Sequence, residues 1–244
     1  LLLVAATALA PVTATAARDD LRGELTVSAA SSLIDAFTRI AKDFRRAHPA
    51  ARVRLNLAST SSLVAQIQAG APVDVLAAAD LASFDRLATS GHVARAPTPF
   101  ARNHMVIVTK PGNPRAIRGI ADLATVPIVA LCARTAPCGV YAASVLARAG
   151  VALPETRITR GLDARATLSA VATGDADAAL VYVTDARAAG AAVATISVPA
   201  AANVVAVYGI GAIRGSPRRA LAAAFIAHVL GPEGRAALAA HGFE

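Results

Sequence analysis

Tryptophan is absent from this 244-residue chain, methionine occurs once, and the remaining aromatic side chains are six Phe and three Tyr. So few rings leave no stacking platform for a single nucleic-acid strand. Acidic residues are also short, 16 against 24 Lys and Arg, for a net charge of +8. The arginines nevertheless stand singly, adjacent only at Arg45-Arg46 and Arg218-Arg219, so they form no basic stripe and no nucleic-acid partner is expected. A diffuse positive field favours the arrival of small anions instead. Catalytic signatures are missing too. There is no GxSxG elbow, no Walker lysine, and no HExxH or paired spacing among His48, His92, His104, His228 and His241. Asp175 and Asp177 lie in GDADAAL, a turn into a strand where capping explains them. An enzyme is therefore not expected.

Long apolar runs are equally scarce. The opening LLLVAATALA, roughly ten residues, is too short to span a bilayer, and nothing later is long and uncharged enough to try. That opening leads through Ala14-Thr15-Ala16 to charged residues, as the end of a secretory signal does. Residues 1–17 read as a signal remnant, which places the mature chain in the periplasm or otherwise outside the cytoplasm. No cysteine follows the small residues, so a lipid anchor has no attachment point there. Cysteine occurs only as Cys132 and Cys138, in CARTAPCG. Two ligands make a poor zinc site, and the spacing is not that of a CxxC centre. In an exported chain a short disulfide loop is favoured over two free thiols.

What is present is a repeated succession of apolar strand and amphipathic helix. ELTVSA (24–29) reads as a strand, and Leu33, Ile34, Phe37, Ile40, Ala41 and Phe44 recur at helical spacing until His48-Pro49. VRLNLA (53–58), the helix SSLVAQIQAG and VDVLAAA (73–79) continue the pattern, with Asp80 placed to cap the next helix. After PTP (97–99) come a strand at 104–110, a strand at 127–132, a helix from Gly139 to Ala149, a strand near 157–160, a helix from Asp163 to about Thr173, and a strand at 178–182. Two extended runs, ATISVP and NVVAVYGI, precede a helical region from Pro217. This succession predicts an α/β fold of two lobes, each a mostly parallel sheet flanked by helices, with two hinge crossings. The boundaries fall at 18–98 with 204–244 for the first lobe and 99–203 for the second.

In open parallel sheets ligands lie beyond the carboxyl ends of the strands, against helix N-termini. There the unpaired N–H groups and the helix dipole attract anions. Ser31 and Ser32 follow the first strand, and Thr60, Ser61 and Ser62 follow the second. One strand-serine-helix junction is explained by capping alone; two hydroxyl-rich junctions on one edge suggest a donor-lined site. PCGVYAA and LDARATL open two further helices, where Asp163 is expected to cap its own helix and Ala164 offers only main chain. Tyr182, ending ALVY, can bring a phenolic O–H. Donors without a required acceptor suit a fully deprotonated tetrahedral oxyanion.

These segments, LTVSAASSL, ASTSSLVAQIQAGAPVDVLAAAD, PCGVYA, DARATL and ALVYVTDA, resemble the periplasmic molybdate-binding proteins of ABC transporters, which are type II solute-binding proteins. The resemblance covers nearly the whole mature chain, and QIQAGAPVDV followed by AAAD is its most specific block. It implies a molybdate or tungstate ion held between two lobes by hydrogen bonds, with no cofactor and no protein ligand to the metal itself. It assigns oxyanion binding to the hydroxyls of Ser32 and Thr60, the main chain of Cys138 and Ala164, and the phenol of Tyr182. Thr60 stands where serine is common and Cys138 where alanine is common. A membrane permease is the implied partner and a monomer the implied state. Sulfate is the competing ligand, and an oxyanion-sensing effector domain the competing role.

Overall fold

The computed structural model describes residues 21–93 and 95–244; the signal remnant expected over 1–17 lies outside them. The chain alternates strand and helix as the periodicity predicts. β1 (Gly23–Ala30), α1 (Ile34–Ala47), β2 (Ala51–Ala58), α2 (Thr60–Gln68), β3 (Val75–Ala78) and α3 (Ala82–Thr89) come first. β1 pairs in parallel with both β2 and β3. A run of small and β-branched residues suits strands covered on both faces, and β3 is buried along its whole length. α1 turns Phe37, Ile40, Ala41 and Phe44 inward. Its one buried acid, Asp43, accepts from Arg39 at 2.7 Å and Arg46 at 2.5 Å.

β4 (Thr98–Thr109) begins six residues before the strand expected at 104. Prolines punctuate sequence, which hides the early half; Pro99 is tolerated because the register shifts between Pro99 and Ala101. The first half of β4 runs antiparallel to β9 (Val205–Ala212), which also lies against β3. β4 pairs with β7 (Ala178–Tyr182) from Met105 and with β8 (Ala194–Ser197) from Val106, antiparallel to both. β5 (Val129–Cys132) joins β7 to β6 (Ile158–Gly161) through parallel pairings. The strand order is β2-β1-β3-β9-β4-β7-β5-β6, so one strand belongs to both lobes.

At that handover a side chain replaces a backbone partner. Asn203 Oδ1 accepts from Met105 N–H at 3.1 Å, and its Nδ2 donates to Met105 O at 2.9 Å. The second lobe carries α4 (Pro137–Arg148), α5 (Ala164–Ala172) and the short α6 (Val183–Ala189), which the sequence reading lacked. α7 (Arg219–Leu230) and α8 (Pro232–Ala240) return to the first lobe. There Phe225 stands edge-on to Phe37 and Phe44, centroids 6.3 and 5.3 Å away. No helix among the described residues is long and apolar enough to cross a membrane.

Candidate functional site

Each strand of the parallel pairs ends where a helix begins, and these ends converge. β1 passes into a 3-10 turn at Ser31–Leu33, β2 into Ser59 and Thr60, β5 through a short loop into Pro137 and Cys138, and β6 into Asp163 and Ala164. With Tyr182 at the end of β7, they enclose one small cavity, lined among others by Ser32, Thr60, Cys138, Ala164 and Tyr182. All five residues singled out in the sequence therefore meet at one place, three from the second lobe facing two from the first. The walls stand close: about 10 Å³ is open to the centre of a water-sized sphere, roughly what one water requires. That is less room than a guest with four oxygens needs.

Capping accounts for some of the hydroxyls and not for others. Ser59 caps α2, accepting from Ser62 N–H at 3.1 Å, and its Oγ also bonds Ser61 and Ser62. Those serines are occupied with one another. Asp163 caps α5, accepting from Ala166 N–H at 2.9 Å, so its carboxylate serves its own helix. Ser32 makes no capping bond; its Oγ meets Tyr208 Oη at 2.8 Å. Thr60 Oγ1 accepts from Ala79 N–H at 3.1 Å, which leaves its proton to point elsewhere. Cys138 and Ala164 stand in first helical turns, whose N–H groups have no acceptor inside the helix.

Tyr182 is 1% exposed, and its Oη has no hydrogen-bond partner among the described residues. A buried phenol without a partner is costly unless something completes it. Burial, with Tyr208 and Tyr141 close by, pushes its pKa well above the ordinary phenol range, so it stays a donor. The other two tyrosines flank it, ring centroids 6.4 Å away for Tyr141 and 6.0 Å for Tyr208. Tyr141 crosses between the lobes to donate to Ala79 O at 3.4 Å.

No lysine or arginine lines the cavity. Arg165, one residue past Ala164, pairs instead with Asp35 of α1 across the cleft and lies 3.1 Å from Asp185 of α6. Among the residues lining the cavity, positive potential comes from helix starts and hydroxyl dipoles. Cys132 and Cys138 are bridged, which ties the end of β5 to the first turn of α4. Thr167 Oγ1 of α5 lies 3.3 Å from Cys132 Sγ. Sequence reasoning missed Tyr208, Asn103, Arg165 and Asp185, which stand behind the cavity wall and follow no local pattern that would single them out. Among the described residues no group of three or more His, Cys, Asp or Glu is placed to hold a metal ion.

A family model described as bacterial extracellular solute-binding protein matches residues 25–244. The molybdate-binding protein ModA of Mycobacterium tuberculosis is 38% identical over 242 residues, 99% of this chain and 92% of that protein. Among solved structures, the Azotobacter vinelandii periplasmic molybdate-binding protein superposes with a TM-score of 0.81 at 22% identity, covering 90% of this chain and 98% of that one. The sulfate-binding protein SubI of Mycobacterium tuberculosis reaches 0.79 at 16% identity, covering 90% and 86%. Both structures share the two-lobed fold, and since they are named for different anions, fold alone does not choose between oxyanions.

Proposed function

The chain belongs to the bacterial extracellular solute-binding proteins, and on that premise we propose that it captures molybdate, and tungstate with it, for a membrane permease of the ABC type. The observation that carries this reading is the buried, unpartnered Tyr182 hydroxyl facing a cavity with no cationic side chain. An oxyanion would complete that hydroxyl. It would also accept from Ser32 and Thr60 and from the first-turn amides of Cys138 and Ala164, in bonds strengthened by its charge. The protein works as a monomer without catalysis, and its leader directs it out of the cytoplasm. Opening bends the chain where β4 changes partners and between β8 and β9; closure on the anion gives the form that the permease recognises.

Thermal unfolding with molybdate, tungstate, sulfate and phosphate tests the reading. A ligand at about a hundred times its dissociation constant should raise Tm by about 5 to 10 °C. Molybdate and tungstate are expected to do so. A shift with sulfate alone would reassign the ligand, and inertness toward all four would remove the proposal.

The disulfide gives a second test. It holds the loop that presents the Cys138 amide, and closing so short a loop constrains the chain by about 2 kcal/mol. Reduction should weaken molybdate binding several-fold, read by calorimetry with and without reductant. Equal affinities would show that the loop keeps its shape unaided.

A further inference from the structure

We infer that Tyr208 and Asn103, neither of which lines the cavity, fix Ser32 as an obligate hydrogen-bond donor and thereby set the site against protonated oxyanions; the inference rests on the oxyanion reading above. The chain of bonds has a direction. His104 N–H donates at 2.9 Å to the side-chain oxygen of Asn103, and only the amide oxygen can accept there, so the other end of the amide is the NH₂. That nitrogen donates to Thr184 Oγ1 at 2.9 Å and faces Tyr208 Oη at 3.4 Å. With an N–H directed at its oxygen, Tyr208 has one acceptor left for its own proton, Ser32 Oγ at 2.8 Å. Ser32 then accepts from Tyr208, and its remaining proton turns to the cavity.

The centre of this chain of bonds is buried. Asn103 and Tyr208 are 1% and 0% exposed, Thr184 3% and Ser32 4%, so the Asn103–Tyr208 link that sets the sequence of donors lies out of reach of solvent. Burial also pushes the Tyr208 pKa far above the ordinary phenol range, which keeps its proton in place. Thr60 repeats the device on the same wall, where the Ala79 amide occupies a hydroxyl lone pair. Two internal donors thus orient two hydroxyls outward. An anion oxygen carrying a proton would meet donor against donor at Ser32.

The network joins the first lobe (Ser32), the shared and hinge-flanking strands (Asn103 on β4, Tyr208 on β9) and the second lobe (Thr184 on α6). Tyr208 and Asn103 are positioning residues, since they act through Ser32.

The test is a double-mutant cycle with three anions, read by calorimetry at neutral pH. Tyr208→Phe should weaken molybdate binding about threefold to tenfold, and Ser32→Ala by about tenfold or more. Added to Ser32→Ala, Tyr208→Phe should change nothing further, because its effect passes through a hydroxyl already removed. Asn103→Asp reverses the chain. The carboxylate accepts from Tyr208, Ser32 must donate to Tyr208, and a lone pair faces the anion. In that variant the molybdate-to-hydrogen-phosphate affinity ratio should fall by about tenfold. The molybdate-to-sulfate ratio should stay within about twofold, since neither ion carries a proton. Additive effects of Tyr208→Phe and Ser32→Ala would overturn the inference, as would equal losses for all three anions in Asn103→Asp. If Asn103→Asp does not fold, the cycle alone decides. Failure of the wild-type protein to bind molybdate would instead remove the functional reading, which separates the two failures.

Discussion

Replacing Gly139 by alanine should cost about 2 to 3 kcal/mol of stability and at least about tenfold in oxyanion affinity. A Cβ on Gly139 would sit 2.1 Å from Ala133 O, 2.9 Å from Ala133 C and 3.1 Å from Cys132 O. All three are backbone atoms, so no rotamer change relieves the clash. Cys132 is also held by its bridge to Cys138, so the loop cannot simply swing away. The remaining escape is for the first turn of α4 to lift off β5, and that turn carries the Cys138 amide into the cavity. Stability and binding should therefore fall together. Gly119→Ala is the control: a Cβ there meets nothing within 4 Å, and the backbone is extended at φ −174°. Urea titration and calorimetry on both variants check the expectation. Gly139→Ala behaving like Gly119→Ala would mean that the loop yields more easily than its covalent tie implies.

Asp185→Asn should make the protein more stable above pH 7 and leave it nearly unchanged only below about pH 4. Asp185 is 0% exposed, and neither carboxylate oxygen accepts a hydrogen bond among the described residues. Burial pushes its pKa up to about 7, with the nearby Arg165 opposing and Asp163 and Asp35 adding to the rise. The folded form thus holds a proton that the unfolded chain releases near pH 4. Stability from this group is fully present below that value and is lost as pH rises through about 7. At pH 8 the ionised carboxylate costs a few kcal/mol, at most about 4. Asparagine keeps the shape and removes the ionisation. The measurement is urea denaturation of both proteins from about pH 3.5 to about pH 8.5, the difference growing between about pH 4 and 7 and then levelling off. A variant less stable than wild type at pH 8 would show that the attraction of Arg165 outweighs the burial of the charge.

Most of the frame was legible because its signals are local. Leu33 to Phe44 announce α1 by period, and Asp163 announces the start of α5 by chemistry; the bridged pair Cys132 and Cys138 lies within seven residues of sequence. The residues that line the cavity were legible for the same reason, since each follows the apolar strand that delivers it. What stayed hidden depends on distance along the chain. Ser32 and Tyr208 are 176 positions apart and Asn103 and Tyr208 105, and nothing in a strand pattern says which side chains will meet across a closed cleft. The early half of β4 was hidden by Pro99, which marks a break unless the register slips around it. α6, seven residues long, is too brief to show a helical period.

The paired bonds of Asn203 to Met105 fasten the return crossing to the outgoing strand at the very residue where β4 exchanges neighbours. The two connections are thereby tied to each other. In the opening proposed above, the halves would swing like a book on its spine, with one angle to describe the movement.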